Sequence, residues 1–347
     1  MRKVIDGDLC HTKVLEKIKP ALAYKDGIDI SAWKRESEER FIKLLGIDKI
    51  KENACPLNLT VEEAVEHEGY TKIRFNFESE WGSFVPCYLL VPKIGKASYP
   101  IVICLQGHTG GFHHSIGELK NEGDERFQPH TAHAFQAMER GYAALCVEMR
   151  GMGERQSARY PDPTIHPCAF TALTAFNLGR TMAGERAWDV SRAIDALENF
   201  GEYHLDLDKI MIVGHSGGGT ASFYSACYDK RISYAASCGA FCTYRDSIMD
   251  IHHCVCNYIP GVCEYFEMAD LSGLIAPRRL GIFTGRYDDI FPLEGVTDAF
   301  ETCKRIYAAN GCPDNVKLTV SESGHVFDPD LFWAEIMKAT DEMRWNS

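Results

Sequence analysis

Lys209-Ile210-Met211-Ile212-Val213-Gly214-His215-Ser216-Gly217-Gly218-Gly219-Thr220 carries the reading of this chain. Its first half is a short, unbroken apolar run of the kind that fills a strand buried on both faces. Its second half turns at once, with glycines on both sides of a serine, into a helical segment expected over 219–228. So sharp a strand-to-helix turn crowds the backbone, and small residues relieve the crowding. The turn would lift Ser216 Oγ clear of the sheet edge and leave the amides of a helix N-terminus behind it. Alone, Gly-x-Ser-x-Gly arises by chance in about one chain in ten of this length. Its place at a strand–turn–helix junction gives it weight. The bland reading is a glycine-rich turn with an incidental serine, or a phosphate cradle. Against it, the P-loop spacing and the third glycine of a dinucleotide fingerprint are both missing.

Similar apolar runs stand at 101–105, 142–147, 234–238, 280–283 and 316–320. Helical segments separate them at 132–140, 183–200, 219–228 and 295–309. Strand and helix alternating this often imply an α/β fold with a doubly wound, mostly parallel sheet. Upstream, 71–78 alternates in strand fashion, and 85–92 follows a turn at Trp81-Gly82, which together read as an antiparallel hairpin. Residues 1–66 are expected to form a helical N-terminal extension, with helical apolar spacing around Trp33, Phe41, Leu44 and Leu45. Residues 67–347 are then the catalytic domain. Two connections, 155–181 and 243–277, are longer than such a fold needs, and 243–277 is read as a small cap insertion over the site.

The 347 residues are 45% apolar and 25% charged, ordinary for a soluble globular protein. A net charge of −12 weighs against nucleic acid and anionic membranes as partners. No apolar stretch reaches the roughly 18 residues of a membrane span, and the opening Met1-Arg-Lys-Val-Ile-Asp-Gly-Asp8 has no apolar signal region. The expectation is therefore a cytoplasmic protein whose 14 cysteines are reduced and mostly buried. Homo-oligomerisation is left open.

A serine hydroxyl needs a neighbouring base to attack at neutral pH. Ser323-Gly324-His325 follows the last strand and would put His325 on the loop at that strand's C-terminal end. The acid should follow an earlier strand, and Gly285-Arg-Tyr-Asp288-Asp289 supplies it. Asp288 is preferred, with Asp289 as the alternative that caps the turn. A buried carboxylate there would fix the imidazole tautomer and stabilise the imidazolium formed during attack. The chain order Ser216, Asp288, His325 is the order of one hydrolase architecture and not of chymotrypsin or subtilisin. As the residue after the nucleophile, Gly217 would supply one backbone N–H of an oxyanion hole.

These residues resemble the α/β-hydrolase superfamily. More narrowly, they resemble its group of dienelactone-hydrolase-like proteins, acetyl xylan esterases and cephalosporin C deacetylases. The resemblance rests on 106–111, on Arg150-Gly-Met-Gly153, on the 214–219 turn, on Gly285-Arg-Tyr-Asp288 and on Gly324-His325, and spans about 67–347. In that group the acid lies three residues after the glycine, which again favours Asp288. Mapped onto Gln106-Gly107-His108, the resemblance implies the backbone N–H of His108 as the second oxyanion donor. It implies a serine esterase acting through an acyl-enzyme on short-acyl, small-molecule esters, with no cofactor and no metal. The sequence departs from the acetyl xylan esterase pattern at Met152, Gly217 and Val326. The resemblance therefore carries the serine chemistry and not the acetyl-sugar substrate. The alternatives are the same triad on an amide, peptide or carbon–carbon bond, and a hydrolase-fold binding protein without catalysis.

Other clusters receive structural expectations. His252, His253, Cys254, Cys256 and Cys263 crowd one loop, but the C-x-C spacing is tight for zinc, and a buried wall of soft thiols is expected. His113 and His114 are read as solvated loop residues. Glu148 and Arg150 are read as an ion pair fixing their loop, and Arg186 and Asp189 as structural.

Overall fold

The computed structural model describes residues 7–159 and 167–343. Among the described residues, nine strands form one sheet: β1 (Thr60–His67), β2 (Tyr70–Glu80), β3 (Ser83–Pro92), β4 (Tyr99–Leu105), β5 (Ala143–Val147), β6 (Leu205–His215), β7 (Ile232–Cys238), β8 (Arg279–Gly285) and β9 (Val316–Ser321). Their order is β1-β2-β3-β5-β4-β6-β7-β8-β9. Contacts from β1 through β3 to β5 are antiparallel, and every pairing from β5 through β4 to β9 is parallel.

Around the sheet lie α1 (Leu9–Leu15), α2 (Ile30–Leu45), α3 (Ile47–Lys51), α4 (His133–Glu139), α5 (Pro167–Asn177), α6 (Met182–Leu197), α7 (Gly217–Tyr228), α8 (Ser272–Ile275), α9 (Leu293–Ala309) and α10 (Pro329–Glu342). Among the described residues, no helix is long and apolar enough to cross a membrane.

The two-residue period of the central strands builds two cores. Ile101, Ile103 and Leu105 of β4 join Ile210 and Ile212 of β6 in the larger core, which includes residues of α2, α6, α7 and α9. Val102, Cys104, Met211 and Val213 point the other way, into a core shared with α4 and α10. A strand apolar at every position is the consequence of helices on both faces. This is the expected α/β architecture, and α10 is an element the sequence reading did not mark.

The N-terminal expectation needs one correction. α2 forms as the spacing requires, with Trp33, Ser37, Phe41 and Leu45 buried along one face and Asp29 accepting hydrogen bonds from the amides of Ser31 and Ala32. Residues 60–66, however, are not helical. They form β1, antiparallel to β2. Their glutamates and alanine suit a helix locally, and an exposed edge strand shows no apolar alternation. The open ladder of β2 decides their conformation, and the charged side chains protect the resulting edge.

The loop 243–277 does not stand apart from the rest. Ile248, Ile259, Val262, Phe266 and Met268 belong to the larger core. The 155–181 connection carries α5.

Candidate active site

β6 delivers Ser216 to the C-terminal edge of the sheet, directly before α7. Its backbone sits at φ 56° and ψ −122°, a left-handed conformation strained for a residue with a Cβ. The Ser216 amide donates to the Cys238 carbonyl at 2.8 Å, which ties the turn to the end of β7. The neighbouring glycines are required by contact. A Cβ on Gly214 would lie 2.3 Å from the Gly218 carbonyl, and one on Gly218 2.3 Å from the Leu105 carbonyl.

The loop after β4 lies against this turn. A Cβ on Gly107 would stand 3.5 Å from Ser216 Cβ, and one on Gly217 would strike the His108 ring at 2.7 Å. His108 and Gly217 are therefore immediate neighbours beside Ser216. Gly217 opens α7, where the first amides have no carbonyl one turn back to accept them.

Asp288 and His325 come from the loops after β8 and β9. His325 Nδ1 and Asp288 Oδ2 are 2.8 Å apart. The other Asp288 oxygen accepts from the amides of Ile290 and Phe291, both at 2.9 Å. Burial pushes the Asp288 pKa up. The bond to His325, the positive charge available there and the two amides outweigh it and hold the carboxyl below its ordinary value. Asp289 is exposed. The His325 ring stacks on Phe291 at 5.9 Å between centroids and rests 4.7 Å from His215. Its Nε2 is buried and takes no hydrogen bond.

Ser216, Gly217, His108 and His325 share one cavity of about 540 Å³, a size suited to a small molecule. Phe127, Ile290, Phe291, Val326 and Phe327 form its apolar wall, and Arg126, His130 and His252 add polar edges. Every site residue expected from sequence thus lies at this cavity or, for Asp288, directly behind it. Ser216 and His325 both line this cavity, and no hydrogen bond joins Ser216 Oγ to His325 Nε2.

Behind the loop after β4, Glu148 accepts from Gln106 Nε2 and from the amides of Phe112 and Glu154. Burial raises its pKa to about 8 against those donors. The expected Glu148–Arg150 ion pair is not formed. Arg150 instead pairs with Glu80, Glu185 and Asp189, because its guanidinium turns toward α6 and the end of β2. Asp189 and Arg186 are buried, as expected for structural groups.

His113 and His114 are not solvated either. Both are buried, with Nε2 atoms 3.0 and 3.2 Å from Asp124. Burial pushes Asp124 up, but the amides of Asn121 and Lys120 and the bond to His113 hold it below the usual carboxylate range. A single acidic residue ten positions downstream gave no sequence signal for this arrangement.

His108, Cys168, Cys254 and Cys256 form a cluster that sequence reading also missed. Only the last two were marked as a group, because the other two lie far away in the chain.

A sequence model of the Abhydrolase family matches residues 2–325. YtaP of Bacillus subtilis (strain 168), assigned as a hydrolase, is 25% identical over 246 residues, which cover 69% of this chain and 77% of that protein. Among solved structures, a protein of Bacteroides fragilis NCTC 9343 assigned as an acetyl xylan esterase superposes with a TM-score of 0.81 at 16% identity, over 97% of this chain and 95% of that one. A glucuronoyl esterase from Solibacter usitatus superposes with a TM-score of 0.66 at 16% identity, over 93% and 98%. At these identities the superpositions bear on the fold, which is that of the α/β hydrolases.

Proposed function

The chain belongs to the Abhydrolase family, and from that premise we propose that it is a serine hydrolase, a carboxylesterase acting on short-acyl esters of small molecules. The observation that carries the proposal is the Asp288–His325 pair at the same cavity as a strained Ser216. Its Nδ1 side is fixed, and its buried Nε2 is left for a partner in the cavity.

In the proposed cycle, Ser216 Oγ attacks the ester carbonyl carbon while His325 Nε2 takes the hydroxyl proton. The carbonyl π pair moves onto oxygen, and the amides of His108 and Gly217 hold the oxyanion. Collapse of the adduct breaks the carbon–oxygen bond to the alcohol, which leaves with the proton from His325. Water then attacks the acyl-enzyme and gives its proton to His325. The acid departs as that proton returns to Ser216. Asp288 stays ionised throughout and stabilises the imidazolium. The bounded, largely apolar cavity supports an acyl or alcohol group of modest size.

The test is hydrolysis of nitrophenyl esters from acetyl to octanoyl, with acetylated sugars alongside, by the parent and by Ser216→Ala. A fluorophosphonate probe should label Ser216 in the parent only. Turnover that survives in Ser216→Ala would refute the proposal.

A further inference from the structure

Three segments distant in sequence bring four soft or borderline donor atoms to one point. His108 Nε2 lies 3.2 Å from Cys256 Sγ and 3.6 Å from Cys168 Sγ, and Cys168 Sγ lies 2.9 Å from Cys254 Sγ. All four donor atoms fall within 4.8 Å of one another. His108 comes from the loop after β4, Cys168 from the first turn of α5, and Cys254 and Cys256 from the 243–277 loop, whose Cys254 lines the same cavity as Ser216. Cys168 and Cys256 are buried, and His108 and Cys254 are half-buried at the cavity wall.

Ligands at the corners of a tetrahedron, with Zn–S near 2.3 Å and Zn–N near 2.0 Å, stand about 3.5–3.8 Å apart. The two imidazole–sulfur separations bracket the lower part of that range, and the Cys168–Cys254 sulfurs, at 2.9 Å, would move apart to reach it. A wall of soft apolar thiols would account for buried cysteines. It would not by itself call for an imidazole nitrogen in contact with two of the sulfurs and within 4.8 Å of the third.

Arg186 supplies an independent observation. Its guanidinium is buried, donates Nη1 to Cys256 Sγ at 3.3 Å, and gives Nε and Nη2 to the Arg150 carbonyl. Among the described residues no carboxylate forms an ion pair with it, whereas nearby Arg150 pairs with three. A buried cation without a counter-charge is costly. Three thiolates and a neutral imidazole around a dication carry one net negative charge, which would meet Arg186 in direct contact.

We propose that His108, Cys168, Cys254 and Cys256 form a four-coordinate zinc site beside the cavity. Thiolate sulfur with one imidazole, four donors in all, favours zinc over harder divalent ions. Binding converts three thiols to thiolates, and their three protons leave to solvent. With every coordination position taken by the protein, the ion is structural and does not polarise substrate. It clamps the loop after β4, α5 and the 243–277 loop to one another. The tight Cys254-x-Cys256 pair is a poor signal by itself because its partners lie 148 and 86 residues away. Where the zinc bears on catalysis, through the His108 backbone amide, the inference rests on the proposed function. The site itself does not.

The full chain, purified under reductant from zinc-supplemented medium and without a histidine tag, should hold about one zinc per chain by mass spectrometry of the metal. Cobalt exchanged into it should show an intense thiolate-to-metal band and tetrahedral visible bands. Cys168→Ser and Cys256→Ser should lose most of the zinc, while Cys263→Ser and Cys10→Ser keep it. The cobalt spectrum of the parent carries the test if the serine variants fail to fold. Folded parent protein that retains no zinc after incubation with it, and shows no cobalt–thiolate band, overturns the proposal. So does a metal-free chain with Cys168 and Cys254 joined as a disulfide. Measuring the zinc in Ser216→Ala as well separates this outcome from failure of the esterase reading.

Discussion

Asp288 turns its two carboxylate oxygens to two tasks, Oδ2 to His325 Nδ1 at 2.8 Å and Oδ1 to the amides of Ile290 and Phe291. The amides fix the carboxylate so that the remaining oxygen can select the imidazole tautomer with its proton on Nδ1 and its lone pair on Nε2. Asp289, one residue on, is exposed. Asp288→Asn should therefore lower kcat on a nitrophenyl ester by about 10³- to 10⁴-fold with a smaller change in KM. Asp289→Asn should stay within about twofold of the parent. Equal losses in the two variants would remove Asp288 from its assigned role.

Gly218 is a stability position two residues after the proposed nucleophile. A side chain there would bring its Cβ within 2.3 Å of the Leu105 carbonyl and 2.6 Å of the Gln106 carbonyl, both backbone atoms of β4 and its loop. Neither can yield without separating β4 from α7. Gly218→Ala should cost about 3 kcal/mol or more of unfolding free energy. A denaturant midpoint unchanged from the parent would mean that the turn is more pliant than its contacts imply.

Asp189 anchors the charge network behind the loop 148–155. Its Oδ1 accepts from Ser79 Oγ at 2.6 Å and Arg150 Nη2 at 2.7 Å, and its Oδ2 accepts from Arg155 Nη1 at 2.8 Å. The three charged groups are largely out of water, so removing Asp189 takes the paired carboxylate from Arg155 and leaves Arg150 with Glu80 and Glu185 alone. Asp189→Asn should destabilise the protein by about 3–5 kcal/mol. The loss should change little between low and moderate salt, because buried pairs are screened weakly. A loss that vanishes in added salt would show the network to be solvated.

Much of this architecture was legible because the central strands obey a local rule: a strand segment covered on both faces is apolar throughout, and β4 and the 210–213 half of β6 read that way without knowledge of their neighbours. The turn around Ser216 was legible for a similar reason, since its crowding admits little besides glycine. β1 was not, because its exposed glutamates follow no apolar period and only pairing with β2 makes it a strand. Partnerships across the fold were hidden for the same cause. Nothing near Arg150 announces Glu80 or Asp189, and nothing near Cys254 announces His108. Those contacts are products of the topology.

His133 and His215 each contribute a loss of stability in mild acid. His133 is buried against Phe327 with neither ring nitrogen hydrogen-bonded, and burial lowers its pKa from 6.5 to about 4. His215 falls to about 3, through burial first and then through repulsion from His325 and His133. Between those values and 6.5 the unfolded chain binds protons that the folded chain refuses. The contribution of these two histidines to stability is therefore complete above about pH 6.5 and is lost as the pH falls toward 4. One such histidine costs about 2 kcal/mol between pH 7 and pH 5. His133→Leu keeps an apolar side chain of similar bulk and removes that titration. Whatever constant cost the new packing carries, the difference in Tm between His133→Leu and the parent should shift in favour of the variant as the pH is lowered from 7 to 5. A difference that stays flat across this range would show that His133 accepts its proton without unfolding, through a partner or a water that relieves its burial.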